Sequence, residues 1–235
     1  MRLALLALLA TPALAQEAPP APAPDRPGSR IFAVPQGCEA FLTVQMAGCT
    51  VSHHFTCAAD PEGWQRRADM DEGGVTYFGA IDAETQWVES FHVLSPHSER
   101  LGTATDPASL TELIAQGEDG FDFETLSDEI GTTRYVGRDR LTGETVTIDG
   151  VTLDRTEYEI VASTADGTEI WRSRGQEFIS REFRMFLSGR STITNAEETF
   201  ERDNSPVEFV RPGEDGFLSA TPIHGCGVVM SKAAG

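Results

Sequence analysis

The stretch from Cys38 to Cys57, CEAFLTVQMAGCTVSHHFTC, limits the fold of this chain more than any other, because three of the four cysteines lie in it. It predicts a β-hairpin turning at Ala47-Gly48. With the two strands symmetric about that pair, Met46 faces Cys49, Val44 faces Val51, Leu42 faces His53, Ala40 faces Phe55 and Cys38 faces Cys57. All of these share one face, since successive strand side chains alternate. The other face collects Glu39, Thr43, Gln45, Thr50, Ser52, His54 and Thr56, with Phe41 its only large apolar member. A one-residue slip would mix the two sets, so the pattern predicts a loop of two or four residues rather than three.

Directly opposed strand residues lie about 4.5 to 5.5 Å apart at Cα, within reach of a disulfide. Four cysteines allow three connectivities, and spacing alone does not choose among them. The hairpin geometry favours Cys38–Cys57, which leaves Cys49 at the tip for Cys226.

Paired cysteines belong in an oxidising compartment, and the N-terminus points the same way. Arg2, the apolar run Leu3–Ala10 and the small-x-small site Ala13-Leu14-Ala15 read as a signal peptide over residues 1–15, cleaved near Ala15. The apolar run is too short to span a bilayer, and no later segment has the length of a transmembrane helix. Residues 16–30, QEAPPAPAPDRPGSR, form an Ala/Pro-rich linker, expected to be disordered or a semi-rigid spacer. Residues 31–235 are then a single disulfide-bonded domain, periplasmic or secreted.

Charge narrows the partners. Eighteen basic residues stand against 37 acidic ones, a net −19, so the chain repels nucleic acid and anionic lipid rather than binding them. Residues 134–190 are less acidic, with nine arginines against ten acids. Cross-strand ion pairs on a wet sheet face are the expected use of those arginines, ahead of an anion-binding patch.

Strand-like runs follow the hairpin at 63–70, 74–81 and 86–94, separated by turn-forming residues. Asp106-Pro107 is expected to open a helix over 107–116, with Leu110, Leu113 and Ile114 as its apolar stripe and Gly117 at its end. Asp149-Gly150 and Asp166-Gly167 predict two further hairpins. The first sets Ile148 against Val151 and Val146 against Leu153. The second sets Ala162 against Trp171, with Tyr158 and Ile160 on the Trp171 face, and Glu159 against Arg174 on the other. Residues 177–189, EFISREFRMFLSG, read as the next strand, apolar on both faces and therefore central. The short repeat GEDGF, at 117–121 and 213–217, is expected to be two turns each feeding a strand. The sum is roughly nine to eleven strands in a mainly β fold. It is a curled antiparallel sheet (half-barrel, barrel or two-layer sandwich) with one short helix covering its open side.

Chemistry-bearing patterns are few. No nucleophile elbow, phosphate loop, paired-histidine metalloprotease motif or dinucleotide glycine pattern occurs, and no catalytic residue is singled out. The five histidines are His53, His54, His92, His97 and His224. His53 with His224 is the pair most easily imagined around a metal, but the spacing supplies no third ligand and a buried, hydrogen-bonded imidazole is the commoner use. No metal or other cofactor is expected.

At the hairpin, FLTVQ…C.VSHH..C resembles a group of uncharacterised exported proteins of alphaproteobacteria. The resemblance continues through DPASLTEL and REFRMFLSG, and so covers most of the mature chain. It implies an envelope location and supplies no activity, cofactor or site residue. A curled antiparallel sheet with one helix also looks like the periplasmic lipoprotein-carrier and lipocalin-type half-barrels, a likeness of fold and not of function.

The functional expectation is a non-enzymatic binding or carrier module. It would use an apolar concave β face built from Trp171, Tyr158, Phe178, Phe183 and Phe186 to hold an apolar small molecule or a segment of an envelope protein. The alternatives are an envelope or extracellular hydrolase with His53, His54 or His224 in its site, and a purely structural or interaction protein.

Overall fold

The computed structural model describes residues 32–227; the expected signal peptide (1–15) and Ala/Pro linker (16–30) lie outside the described residues. The described chain runs β1 (Cys38–Met46), β2 (Thr50–Cys57), β3 (Gln65–Asp71), β4 (Gly74–Ile81), β5 (Trp87–His92), β6 (His97–Asp106) and the helix α1 (Leu110–Gln116). It continues through β7 (Glu118–Ser127), β8 (Gly131–Ile148), β9 (Val151–Thr164), β10 (Glu169–Ser180), β11 (Met185–Asn195), β12 (Thr199–Asp203) and β13 (Pro206–Val210). The thirteen strands, more than the sequence suggests, make one antiparallel sheet. They are ordered as in the chain from β1 to β12, with β13 returning to pair beside β1.

That return brings the two ends of the sheet together. Asn204 donates its backbone N–H to Gly189 O in β11, while Ala47 donates to the next carbonyl, Ser205 O. Two consecutive residues therefore touch both ends. Leu42, Val44 and Met46 of β1 pack with Val151, Leu153, Phe178, Met185, Leu187 and Phe209 in the largest apolar cluster. Strand twist accumulates across so many strands and rolls the sheet up, as the expected curled antiparallel sheet requires.

Twist also decides which face is buried. In β9 the buried positions are Val151 and Leu153 at one end but Thr156, Ile160 and Ala162 at the other, so the inward side changes parity along a single strand. The pairing of β8 with β9 shifts between Leu141 and Thr145, a bulge that sharpens the turn of the ribbon.

The N-terminal hairpin differs from its expected register. Its loop has three residues, Ala47 to Cys49, with Cys49 at φ 54°, so Met46 pairs with Thr50, Val44 with Ser52 and Leu42 with His54. A bulge at Phe41 then restores Ala40 opposite Phe55 and Cys38 opposite Cys57. The slip costs little because both faces are covered. The Leu42–Val44 side meets the far end of the sheet, and the Val51–Phe55 side lies beneath Phe32, Phe217, Leu218 and Ala220. Both expected disulfides form, Cys38–Cys57 and Cys49–Cys226. The second ties the hairpin tip to the C-terminal segment, where Cys49 N–H also donates to His224 O.

Three further expectations are corrected. Residues 177–189 are not one strand: β10 ends at Ser180 and β11 begins at Met185, across a turn with Arg184 at φ 49°. The helix starts later than Pro107. Its N-cap is Ser109, which accepts from Glu112 N–H, while Asp106 closes β6; Gly117 ends the helix in the left-handed region as expected. A proline disfavours helical backbone in the residue before it, and Ser109-x-x-Glu112 is the stronger start signal. The second GEDGF copy lies in turns and feeds no strand. Leu110 and Leu113 of the helix close over Ile179, Leu141 and Phe186. Among the described residues no helix is long and apolar enough to cross a membrane.

The Asp-Gly hairpins pair as expected, Ile148 with Val151, Val146 with Leu153, Ala162 with Trp171 and Glu159 with Arg174. Three arginines of 134–190 make cross-strand ion pairs on the wet face, as expected: Arg138 meets Glu159, Arg140 meets Glu157 and Arg134 meets Asp122.

Candidate functional site

Strand register builds the candidate site as two neighbouring rows that cross the first six strands. One row runs Val44, Ser52, Asp69, Tyr77, His92, His97, each residue directly opposite the next. The other runs Leu42, His54, Arg67, Gly79, Ser90, Glu99. Alternation puts both rows on one face of the sheet. It is the inner face, since Leu42 and Val44 begin the rows in the core. Only the first residue of each row is a large aliphatic; most of the others carry hydroxyls, carboxylates, imidazoles or a guanidinium.

His92, His97 and Glu99 gather at the β5–β6 end of these rows. The two imidazole rings are parallel within 7° at 4.4 Å. His92 Nε2 lies 3.3 Å and His97 Nε2 3.9 Å from Glu99 Oε2. His97 Nδ1 is 2.5 Å from the Ser95 carbonyl, so that nitrogen carries a proton and donates it, and Nε2 is the nitrogen turned to Glu99. The other carboxylate oxygen, Glu99 Oε1, accepts from Thr125 Oγ1 at 2.6 Å and Tyr135 OH at 3.2 Å. Burial would raise the Glu99 pKa, but hydrogen bonds from His92, Thr125 and Tyr135 outweigh it and hold the carboxyl at about 2. The side chain is 9% exposed and remains ionised at neutral pH.

Tyr77 stands edge-on to His92 at 5.1 Å, and the Arg67 guanidinium lies over its ring at 5.0 Å. Gly79 makes this possible, because a Cβ there would collide with the Tyr77 hydroxyl and ring edge. Arg67 Nε is 3.3 Å from Asp69 Oδ1 and has no hydrogen-bond partner among the described residues, while Ser52 Oγ donates to the same Asp69 oxygen at 2.5 Å.

Beyond Glu99 the inner face turns aromatic. Phe123, Tyr135, Ala162 and Trp171 form one cross-strand row, and Phe121, Gly137, Ile160 and Ser173 the next. Trp87 stands edge-on to both Phe123 (5.7 Å) and Tyr135 (5.4 Å), and Trp171 lies 6.1 Å from Tyr135. Trp87 is 46% exposed, although Phe123 and Tyr135 beneath it are buried.

A third group is acidic. Asp119 and Asp139 face each other across β7 and β8, and Glu177 lies farther along the same face of β10. Burial, then the Asp119 charge, raises Asp139 to about 7; burial, then the Asp139 charge, raises Glu177 to about 8 against the opposing pull of Arg67.

The structure divides the sequence-predicted aromatic residues. Tyr158 and Trp171 line the inner face, where Tyr158 OH bonds to Ser173 Oγ at 2.8 Å. Phe178 belongs to the core against β1, Phe183 packs on Phe41 near Arg211, and Phe186 lies under the helix. His53 and His224, the runner-up metal pair, are not brought together with a third ligand: His53 is buried as expected, bonded to Thr43 and stacked on Phe32, while His224 faces Glu208 at 3.3 Å. His54, expected to face outward, is buried on the inner face. Sequence reasoning misses the grouping of His92, His97 and Glu99. Its signal is nonetheless present, since HVLSPHSE around Ser95-Pro96 reads as a tight hairpin that sets the histidines opposite each other with Glu99 two residues on, on the same face.

Two clefts lie nearby. One, of about 460 Å³, is walled mainly from the other side of the sheet by Phe55, Phe78, Phe91, Arg66 and Arg100, and reaches Ser90 and Glu99. The other, of about 450 Å³, lies beside Cys57 between Phe41, Trp64 and Phe183. Neither contains the aromatic rows, and the exposed Trp87 ring above them, beside convergent polar groups, marks the inner face as the better candidate. No family model, curated protein or solved structure matches the chain.

Proposed function

We propose that the chain is a non-enzymatic binding or carrier module of the cell envelope, periplasmic or secreted, that holds an apolar small molecule against the inner face of its curled sheet. What carries the proposal is Trp87, a large aromatic left 46% exposed on the inner side, edge-on to buried Phe123 and Tyr135 and continuous with Trp171. An apolar ligand laid against that ring and the partly buried Phe121 and Trp171 would cover it. The polar rows that end at His97 and Glu99 lie next to it, so the ligand that fits has an apolar body and a polar end. Two disulfides suit an exported protein.

A neutral fluorescent probe such as N-phenyl-1-naphthylamine tests the proposal. Binding with energy transfer from tryptophan is expected, and Trp87→Ala and Trp171→Ala should weaken it while leaving the melting temperature within a few degrees. Phe178→Ala should instead lower stability by about 3–5 kcal/mol, as for other buried phenylalanines. Absence of probe binding to the intact protein, or Trp87→Ala and Trp171→Ala variants that lose stability in place of affinity, would remove the proposal.

A further inference from the structure

We infer that His92, His97 and Glu99 form a binding site for one zinc-class divalent transition ion, with at least one coordination position left for water or a ligand donor. The inference is independent of the apolar-ligand proposal, and either can fail alone.

Four observations lead to it. The three donor atoms lie within 4.8 Å of one another, and the His92–Glu99 separation of 3.3 Å equals the edge of a tetrahedron with zinc–ligand bonds of about 2.0 to 2.1 Å. His97 Nε2 lies 3.9 Å from Glu99 Oε2, and because the two rings stack parallel at 4.4 Å, one of them must rotate about its side-chain bonds to turn both Nε2 lone pairs onto a shared ion. The outer contacts are those a ligand set requires. The Ser95 carbonyl holds the proton of His97 on Nδ1, and Thr125 and Tyr135 occupy Glu99 Oε1 so that Oε2 is the oxygen turned to the histidines. Finally, the triad comes from the short β5–β6 hairpin, in which His92 and His97 are paired directly, so one hairpin carries all three ligands.

Two imidazoles with one carboxylate select zinc, copper(II) or nickel over calcium and magnesium, which take sets of oxygens. Binding requires the neutral His92 imidazole with its proton on Nδ1, so that Nε2 faces the ion in place of Glu99. Cys49, Glu72 and Cys226 also lie close together, but both sulfurs are committed to the disulfide and cannot ligate.

Chelator-treated mature protein titrated calorimetrically with Zn²⁺ should take up one ion per chain. His97→Ala and Glu99→Gln should each weaken uptake by about 100-fold or more, and Thr125→Val by about tenfold. Glu99→Gln keeps an acceptor for Thr125 and Tyr135, so its melting without metal should match the wild type. His224→Ala, which removes a histidine paired with Glu208 elsewhere, should change nothing. Co²⁺ on the wild-type protein, which needs no variant to fold, should give the intense visible bands of a four- or five-coordinate site. Failure of the wild type to take up a stoichiometric ion, a weak octahedral Co²⁺ spectrum, affinity unchanged in both His97→Ala and Glu99→Gln, or affinity lost in His224→Ala would each overturn the assignment.

Discussion

His53 and His54 are consecutive in β2, both are buried, and their rings point to opposite faces of the strand. His53 lies parallel to Phe32 at 5.2 Å, bonded to Thr43; His54 lies beside Arg67 and 6.3 Å from Phe41. Burial lowers His53 to about 4, and burial, then the charges of Arg67 and His53, lowers His54 to about 3.

A stability slope follows from these imidazoles. Above pH 6.5 each is neutral in both folded and unfolded chains and adds no pH dependence. Between 6.5 and about 4 the unfolded chain takes up a proton that folded His53 refuses, so stability falls as pH falls. Relative to His53→Gln, the wild type should lose up to about 3 kcal/mol across that window. Denaturant midpoints at several pH values measure it, and a difference that stays constant from pH 7 to pH 4 would refute the assignment.

The acidic group should act in the opposite sense. Asp139 and Glu177 keep their protons in the folded chain up to about 7 and about 8, whereas the unfolded chain ionises near 4. Wild-type stability is therefore lost as pH rises from about 4.5 toward 8. Glu177→Gln should be more stable than wild type by about 1–3 kcal/mol at pH 8, with the advantage fading by pH 5. An advantage of equal size at both pH values would contradict this.

Removal of the two disulfides should have unequal effects. Cys49–Cys226 spans 177 residues and Cys38–Cys57 spans 19. In the chain-entropy model the longer loop contributes about 2 kcal/mol more. The Cys49→Ser/Cys226→Ser pair should thus lower the urea midpoint more than Cys38→Ser/Cys57→Ser does. Equal or reversed losses would mean that native-state contacts, not loop closure, set the difference.

Turn chemistry and cysteine arithmetic make much of the fold legible in the sequence. Asp149-Gly150 and Asp166-Gly167 place two hairpins in register, and counting along alternating strands sets Cys38 opposite Cys57. Counting fails inside the same hairpin. The alternation of Leu42, Val44 and Met46 argues that Val51 and His53 share their face, and they do not, because the N- and C-terminal segments cover the second face. The five aromatic residues expected to form one concave surface separate for a related reason. Phe178 and Ile179 are adjacent and both buried, one against β1 and the other under α1.

Local residue chemistry, which acts over a few positions, is thus enough to indicate the mainly β class, the short helix with its Gly117 end and the Cys38–Cys57 pair, which leaves Cys226 as the partner for Cys49. Which face each strand turns inward is a property of the rolled sheet. It depends on accumulated twist, on the bulges at Phe41 in β1 and between Leu141 and Thr145 in β8, and on which distant segments come to lie over each side. The same roll brings Thr125 and Tyr135 onto Glu99 from positions 26 and 36 residues away, a convergence that only the tertiary structure decides.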